Sequence, residues 1–256
     1  MHKFLKSTCI EKKNVLKYIK QQKTDGGPVS VPVDLCFSKH LNHLRRNIMA
    51  DIFDLFKKIE KNTPSTNEPI THLVVGLGNP GDKYLYTRHN AGFLTLDFAS
   101  QKLSVKIDRS KYKALVGEAV IGGKRVLLMK PQTFMNASGE AVVEAMNFYK
   151  IPIENVIVIC DDINLDPGKL RIRKKGSDGG QRGLRSIITL TGSDSFPRIR
   201  MGVGAKPHPD YDLADWVLGE FPKADKELFF SAMEKAYDAL SLIVNGGIDK
   251  AMSNYN

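Results

Sequence analysis

The chain has 256 residues, 42% of them hydrophobic, which suffices for one large domain or two small ones; no apolar run approaches the roughly 20 residues of a membrane span. Its formal net charge is +10, but residues 1–48 carry +7 of it and the remaining 208 residues only +3, so total charge does not mark the bulk of the chain as a nucleic-acid binder. Three cysteines, Cys9, Cys36 and Cys160, form no CxxC pair, which points away from a zinc site and towards a reducing compartment, here the cytoplasm.

Residues 1–69 read as an N-terminal extension and linker, poorly ordered or partly helical. In segment 10–20, Ile10, Val15, Leu16 and Ile19 are spaced for a short lysine-rich amphipathic helix, which Asp25-Gly26-Gly27-Pro28 breaks. His40 and His43 have no further ligands beside them for a metal. Met49 opens a second helical pattern through Ile52, Phe53, Leu55, Phe56 and Ile59, and a polar linker follows over 62–69. Residues 1–48 fit an extension upstream of a start at Met49, with a disordered tail or a transit peptide as the alternatives. Scarce arginine and three acids weigh against a transit peptide, and the segment has no apolar stretch of the secretory kind.

From residue 70 to 256 the pattern is that of a single globular α/β domain. Strands are expected over 72–77, 113–121, 124–130, 155–160, 169–174 and 198–203, and helices over 91–102, 137–149, 182–191 and 222–245. The last helix places Leu228, Ala232, Met233, Ala236, Leu240, Ile243 and Val244 on one side. Strands alternating with helices predict a mixed, largely parallel sheet flanked by helices.

The domain is organised around Leu73–Gly92. Leu73-Val74-Val75 suits a strand buried on both faces. Gly76, Gly78, Pro80 and Gly81 end it and force a loop that carries Asn79, Tyr84, Arg88, His89 and Asn90, and a helical pattern resumes at Phe93. Two more apolar runs end in polar residues: Val126–Met129 is followed by Phe134 and Asn136, and Val156–Ile159 by Asp161 and Asp162. In open α/β sheets ligands bind beyond the carboxyl ends of the strands. If the three strands are parallel neighbours, Asn79, Asn136 and Asp161 converge and His89 joins them. Singly, each Asn or Asp is ordinary turn chemistry and a lone His is more often structural; together they make a site, with a carboxylate to hold a histidine base.

Gly76–Gly81 also fits GxGxxG. That fingerprint needs a helix starting at the glycines, whereas Asp82–Arg88 is polar loop, so a nucleotide-dependent oxidoreductase rests on the glycines alone and NADH titration would test it. Gly117–Lys124 misses the phosphate-loop spacing, and neither GxSxG nor HExxH occurs. Segment 169–185 clusters Lys169, Arg171, Arg173, Lys174, Lys175, Arg182 and Arg185 among glycines, with Arg198 and Arg200 adding to it. This is a solvated charged face or, beside the site, a place for nucleic-acid backbone.

Four blocks, VVGLGNPGDKYLYTRHNAGF (74–93), KPQTFMNASG (130–139), DDINLDPGKLRIRKKGS (161–177) and RIRMGVG (198–204), in this order, resemble bacterial-type peptidyl-tRNA hydrolases from about Thr71 to Asn254. The resemblance implies a monomer that cleaves the ester between peptide and tRNA, recycling peptidyl-tRNA dropped by ribosomes, with no metal and no cofactor. It implies His89 as general base, Asp161 as its stabiliser and Asn79 at the reacting centre. It implies Tyr84, Phe134 and Asn136 as contacts for the tRNA 3′ end and peptide. One departure stands out. Where the family reads GGHNG this chain has Gly179-Gly180-Gln181-Arg182-Gly183, so Arg182 replaces a substrate-contacting Asn and cannot accept a hydrogen bond. The alternative is a non-catalytic RNA-binding protein on the same fold, against which Asn79, His89, Asn136 and Asp161 all speak.

Overall fold

The computed structural model describes residues 68–256; the expected helices at 10–20 and 52–59, the linker up to residue 67, and His40 and His43 lie outside them. A seven-stranded sheet forms the centre. Its strands are β1 (His72–Gly76), β2 (Arg109–Lys111), β3 (Ala114–Ile121), β4 (Lys124–Pro131), β5 (Val156–Asp162), β6 (Leu170–Arg173) and β7 (Arg198–Gly202). Their order is β2-β3-β4-β1-β5-β7-β6. The central strands β4, β1, β5 and β7 are parallel, while β2, β3 and β6 run antiparallel to their neighbours. The sheet is thus mixed and parallel at its centre, as the sequence pattern predicts.

The alternation of buried side chains along β1, β4 and β5 builds two cores, one on each face. Val74, Leu128, Ile157 and Ile159 face α1 (Ala91–Leu103), α5 (Lys223–Val244) and α6 (Ile248–Tyr255). Leu73, Val75, Leu127, Met129, Val156 and Val158 face α2 (Ser138–Tyr149) and α3 (Arg182–Thr191). Burying each such side chain contributes roughly 1.5–3 kcal/mol, so the strand ends that carry the polar residues rest on the firmest part of the molecule.

Glycines bring α1 into direct contact with the sheet. A Cβ on Gly92 would lie 2.3 Å from the Leu77 nitrogen and 2.4 Å from the Ile159 oxygen, and one on Gly76 would lie 2.4 Å from the Gly92 oxygen. The start of α1 therefore sits backbone against backbone on β1 and β5, which fixes the turn just before it, where His89 stands. That helix begins at Ala91, about ten residues along the chain from Gly81 rather than at the glycines, so the GxGxxG pattern makes a turn and a close approach rather than a pyrophosphate cradle.

Several expectations change. β2 is an added exposed strand, and α4 (Leu213–Leu218) and α6 are added helices. β5 runs on to Asp162 because Asp161 and Asp162 pair with Met201 and Gly202 of β7, so Asp161 lies within the strand rather than past it. In α5 the inward residue is Phe229, while Leu228 is half exposed.

Candidate active site

The parallel order β4-β1-β5 puts the three strand ends side by side, and a cleft of about 510 Å³ opens above them. Asn79, His89, Phe134, Asn136, Asp161 and Arg182 all line it. Tyr84 does not; it is half-buried in the short 3-10 turn Asp82–Tyr84, with Lys83 over its ring.

His89 belongs to a second 3-10 turn, Arg88–Asn90, which runs directly into α1. Its Nδ1 lies 2.8 Å from Asp161 Oδ2, and the His89 side chain is 14% exposed against 4% for Asp161. With Nδ1 engaged by the carboxylate, Nε2 is the free ring nitrogen, and a carboxylate in this position is able to stabilise an imidazole that takes up a proton.

Asn79 is locked from both sides. Its backbone N–H donates to Asn90 Oδ1 at 2.8 Å, and Asn90 Nδ2 donates back to the Asn79 carbonyl at 3.0 Å. Its side-chain Oδ1 accepts the Met135 N–H at 2.8 Å. Because that donor is a backbone N–H, the amide orientation is decided: the oxygen is spoken for and Nδ2 faces the remaining choice, a group in the cleft. Asn136 is exposed at the rim with no protein hydrogen bond to its side chain among the described residues.

Phe134 carries φ 57° and ψ 163°, a region that side chains rarely occupy, and its ring is half exposed in the cleft. The Asn79–Met135 bond and the 3-10 turn Met135–Ala137 hold it there, and a held outlier at a cleft is where function concentrates.

Gln181 is the residue that sequence reading missed. As the N-cap of α3 it accepts the Leu184 N–H on Oε1 at 2.8 Å, while Nε2 donates to Asp161 Oδ1 at 3.0 Å. Its unusual place in the glycine-rich block was the available signal; its bond to Asp161 was not readable from it.

The basic segment resolves into separate roles. Arg198 is not a surface cation: it is 2% exposed, and its guanidinium donates to the carbonyls of Gly176, Ser177 and Asp194. Burial lowers its pKa from the usual guanidinium value, and it braces the loop ahead of α3. Arg200 is bound to Asp162 at 3.0 Å, Lys174 to Asp249, and Arg185 to Asp178. The Arg185 contact, followed by the Gly180 N–H, holds the Asp178 carboxyl below its ordinary range. Arg173, Lys175 and Arg182 are exposed, with no acid in ion-pairing reach among the described residues.

An apolar part of the lining comes from α4, through Leu213, Ala214, Val217 and Leu218. This helix is tied to the His89 turn. Arg88 stacks on Trp216 at 3.6 Å and donates to the Trp216 carbonyl at 3.1 Å, and its own N–H donates to the Gly219 carbonyl at 3.0 Å. Burial lowers the Arg88 pKa, with Asp225 and Tyr211 opposing, yet guanidinium stays charged.

A peptidyl-tRNA hydrolase family model matches residues 73–256. The chain belongs to the peptidyl-tRNA hydrolase family. It is 50% identical over 185 residues to the peptidyl-tRNA hydrolase of Caldicellulosiruptor bescii, a match covering 72% of this chain and 96% of that protein. It is 53% identical over 186 residues to that of Agathobacter rectalis, covering 72% and 100%. Among solved structures, the peptidyl-tRNA hydrolase of Acinetobacter baumannii superposes with a TM-score of 0.69 at 33% identity, covering 75% of this chain and 99% of that one. The family fold is therefore the α/β sheet described above, with Asn79, His89 and Asp161 at its carboxyl edge.

Proposed function

We propose that residues 70–256 form a hydrolase domain that cleaves the ester between the peptide and the tRNA of peptidyl-tRNA, and that residues 1–69 are an extension outside it. Family membership gives the reaction class. The observation that carries the residue roles is the His89–Asp161 contact at a cleft into which Asn79 and Asn136 also face.

His89 Nε2 takes a proton from water as the water oxygen attacks the ester carbonyl carbon. General base catalysis of this kind contributes about 10²–10⁴-fold. The negative charge that develops on the carbonyl oxygen needs a fixed donor, and Asn79 Nδ2 is supplied by an amide that cannot rotate without losing the Met135 N–H. Collapse of the tetrahedral species breaks the bond to the ribose oxygen, which leaves with the proton that His89 returns. Phe134 offers a ring for stacking on the 3′-terminal base, and Asn136 offers both a donor and an acceptor. Tyr84, half-buried in the turn Asp82–Tyr84, lies outside this lining and is assigned to substrate beyond the cleft. Arg182 stands where a charged side chain can donate to phosphate or ribose at the tRNA 3′ end.

The domain acts as a monomer in the cytoplasm, the compartment of its nucleic-acid substrate. Among the described residues no helix is long and apolar enough to cross a membrane. The test is release of peptide from N-blocked aminoacyl-tRNA by the purified full chain, with His89→Ala as control. Undiminished turnover by His89→Ala would reject the assignment of the base. A form beginning at Met49 is expected to keep full turnover; a large loss would move the extension into the working domain.

A further inference from the structure

We propose that Gln181 is a positioning residue of the catalytic pair, the group that holds Asp161 in the orientation in which it can hold His89. The inference rests on the reading of His89 and Asp161 as that pair.

Asp161 is almost fully buried at the end of β5, and a buried carboxylate needs each oxygen satisfied. Oδ2 is engaged by His89 at 2.8 Å. The side-chain donor within reach of Oδ1 is Gln181 Nε2, at 3.0 Å. Without it the carboxylate is free to turn about its own axis, and each turn takes an oxygen away from His89.

Gln181 is itself fixed. Its Oε1 accepts the Leu184 N–H, one of the donors a helix leaves unpaired in its first turn. Its Nε2 also lies 3.1 Å from Met135 Sδ, a weak acceptor. Met135 is the residue whose N–H fixes the Asn79 amide. One side chain therefore joins the start of α3 to the ends of β4 and β5, and through Met135 to Asn79. Glycine at 183 permits this closeness, since a Cβ there would lie 2.7 Å from Met135 Sδ and 3.0 Å from Gln181 Oε1. An amide suits the post because it offers acceptor and donor at once and holds both at every physiological pH.

Capping a helix and orienting a catalytic carboxylate are separable by substitution. Gln181→Asn keeps a side chain that caps helices well but is one methylene too short to reach Asp161. Thermal unfolding should match the native protein, while kcat falls about 10-fold and KM stays unchanged, the size of effect expected from losing one hydrogen bond to a charged group. Gln181→Glu keeps the length and the cap acceptor but sets a second carboxylate against Asp161. Its kcat should fall further, and the ratio of variant to native activity should rise as pH drops and the new carboxyl, once protonated, donates again. His89, Asp161, Asp162, Asp212, Arg182 and Arg200 line the same cleft, so the pH ratio is read against the same ratio for Gln181→Asn, which adds no ionisable group.

Native kcat in Gln181→Asn, or a Gln181→Glu ratio that does not vary with pH, would overturn the proposal and leave Gln181 as a helix cap. Asp161→Asn, run alongside, separates the two readings: if it too keeps native kcat, the catalytic pair itself is wrongly assigned.

Discussion

Residues 179–182 and Arg200 line the cleft with glycine backbone, an amide and two guanidinium groups, whereas residues 213–218 line it with Leu213, Ala214, Val217 and Leu218. The first lining is held by directed bonds: Gln181 to Asp161, Arg200 to Asp162, and buried Arg198 to the carbonyls beneath the loop. The second is held by stacking, Arg88 on Trp216, at the turn that also carries His89. A peptidyl-tRNA has the same two halves, a polyanion and a peptide of varied side chains, with the ester between them. Phosphate demands fixed cations and donors, while diverse side chains are better met by an apolar surface that contacts them by area rather than by geometry.

The comparison breaks most completely at His89, where both linings meet. His89→Ala is expected to lose about 10²–10⁴-fold in turnover while tRNA binding is retained, measured by peptide release and by direct binding. Lost binding together with lost turnover would mean that His89 holds substrate rather than activating water.

Arg182→Ala sharpens the polar side. A contact made equally in ground and transition states shows in KM, so an increase of about 10-fold is expected for every peptide, with modest loss of kcat and partial recovery in Arg182→Asn. The defect should shrink as salt rises. A fall in kcat of about 10²-fold at unchanged KM would instead make Arg182 an oxyanion donor.

On the apolar side, Leu213→Ala should raise KM about 4-fold for peptides with bulky apolar residues next to the ester, the contact made by this half-exposed side chain amounting to about one buried methylene at roughly 0.8 kcal/mol. KM for N-blocked glycyl-tRNA should not change. Equal effects on both substrates would remove the distinction between the linings.

The smallest effect is expected outside the cleft. Arg173→Ala and Lys175→Ala should each lower the salt dependence of tRNA binding by about one phosphate contact. An unchanged slope would make them a solvated face.

Much of the site was legible because its signals are local. The apolar run of β1 and the helical spacing of α1 lie within twenty residues of each other, and the turn between them delivers Asn79 and His89. The apolar runs of β4 and β5 gave Asn136 and Asp161 the same status. What escaped had weak local signals. β2 is exposed and exists by pairing with β3, and α4 is six residues long, too short for its periodicity to declare itself. Arg198 groups with surface cations by its residue type, yet it is buried and donates to three backbone carbonyls. Leu228 and Phe229 are apolar neighbours about 100° apart on a helix, and packing against the core selected the second.

The sequence by itself determined the α/β class and the strands and helices that carry the site, because burial on two faces and helical period are written in short stretches of chain; the convergence of Asn79, Asn136, Asp161 and His89 waited on the parallel neighbouring order β4-β1-β5. Tertiary structure alone decided which groups touch. Asp161 meets Gln181 across twenty residues, and Arg88 meets Trp216 across 128. Neither contact follows from spacing, since hydrogen bonds and stacks depend on positions within a fraction of an ångström, which exist only once the whole sheet and its helices have packed.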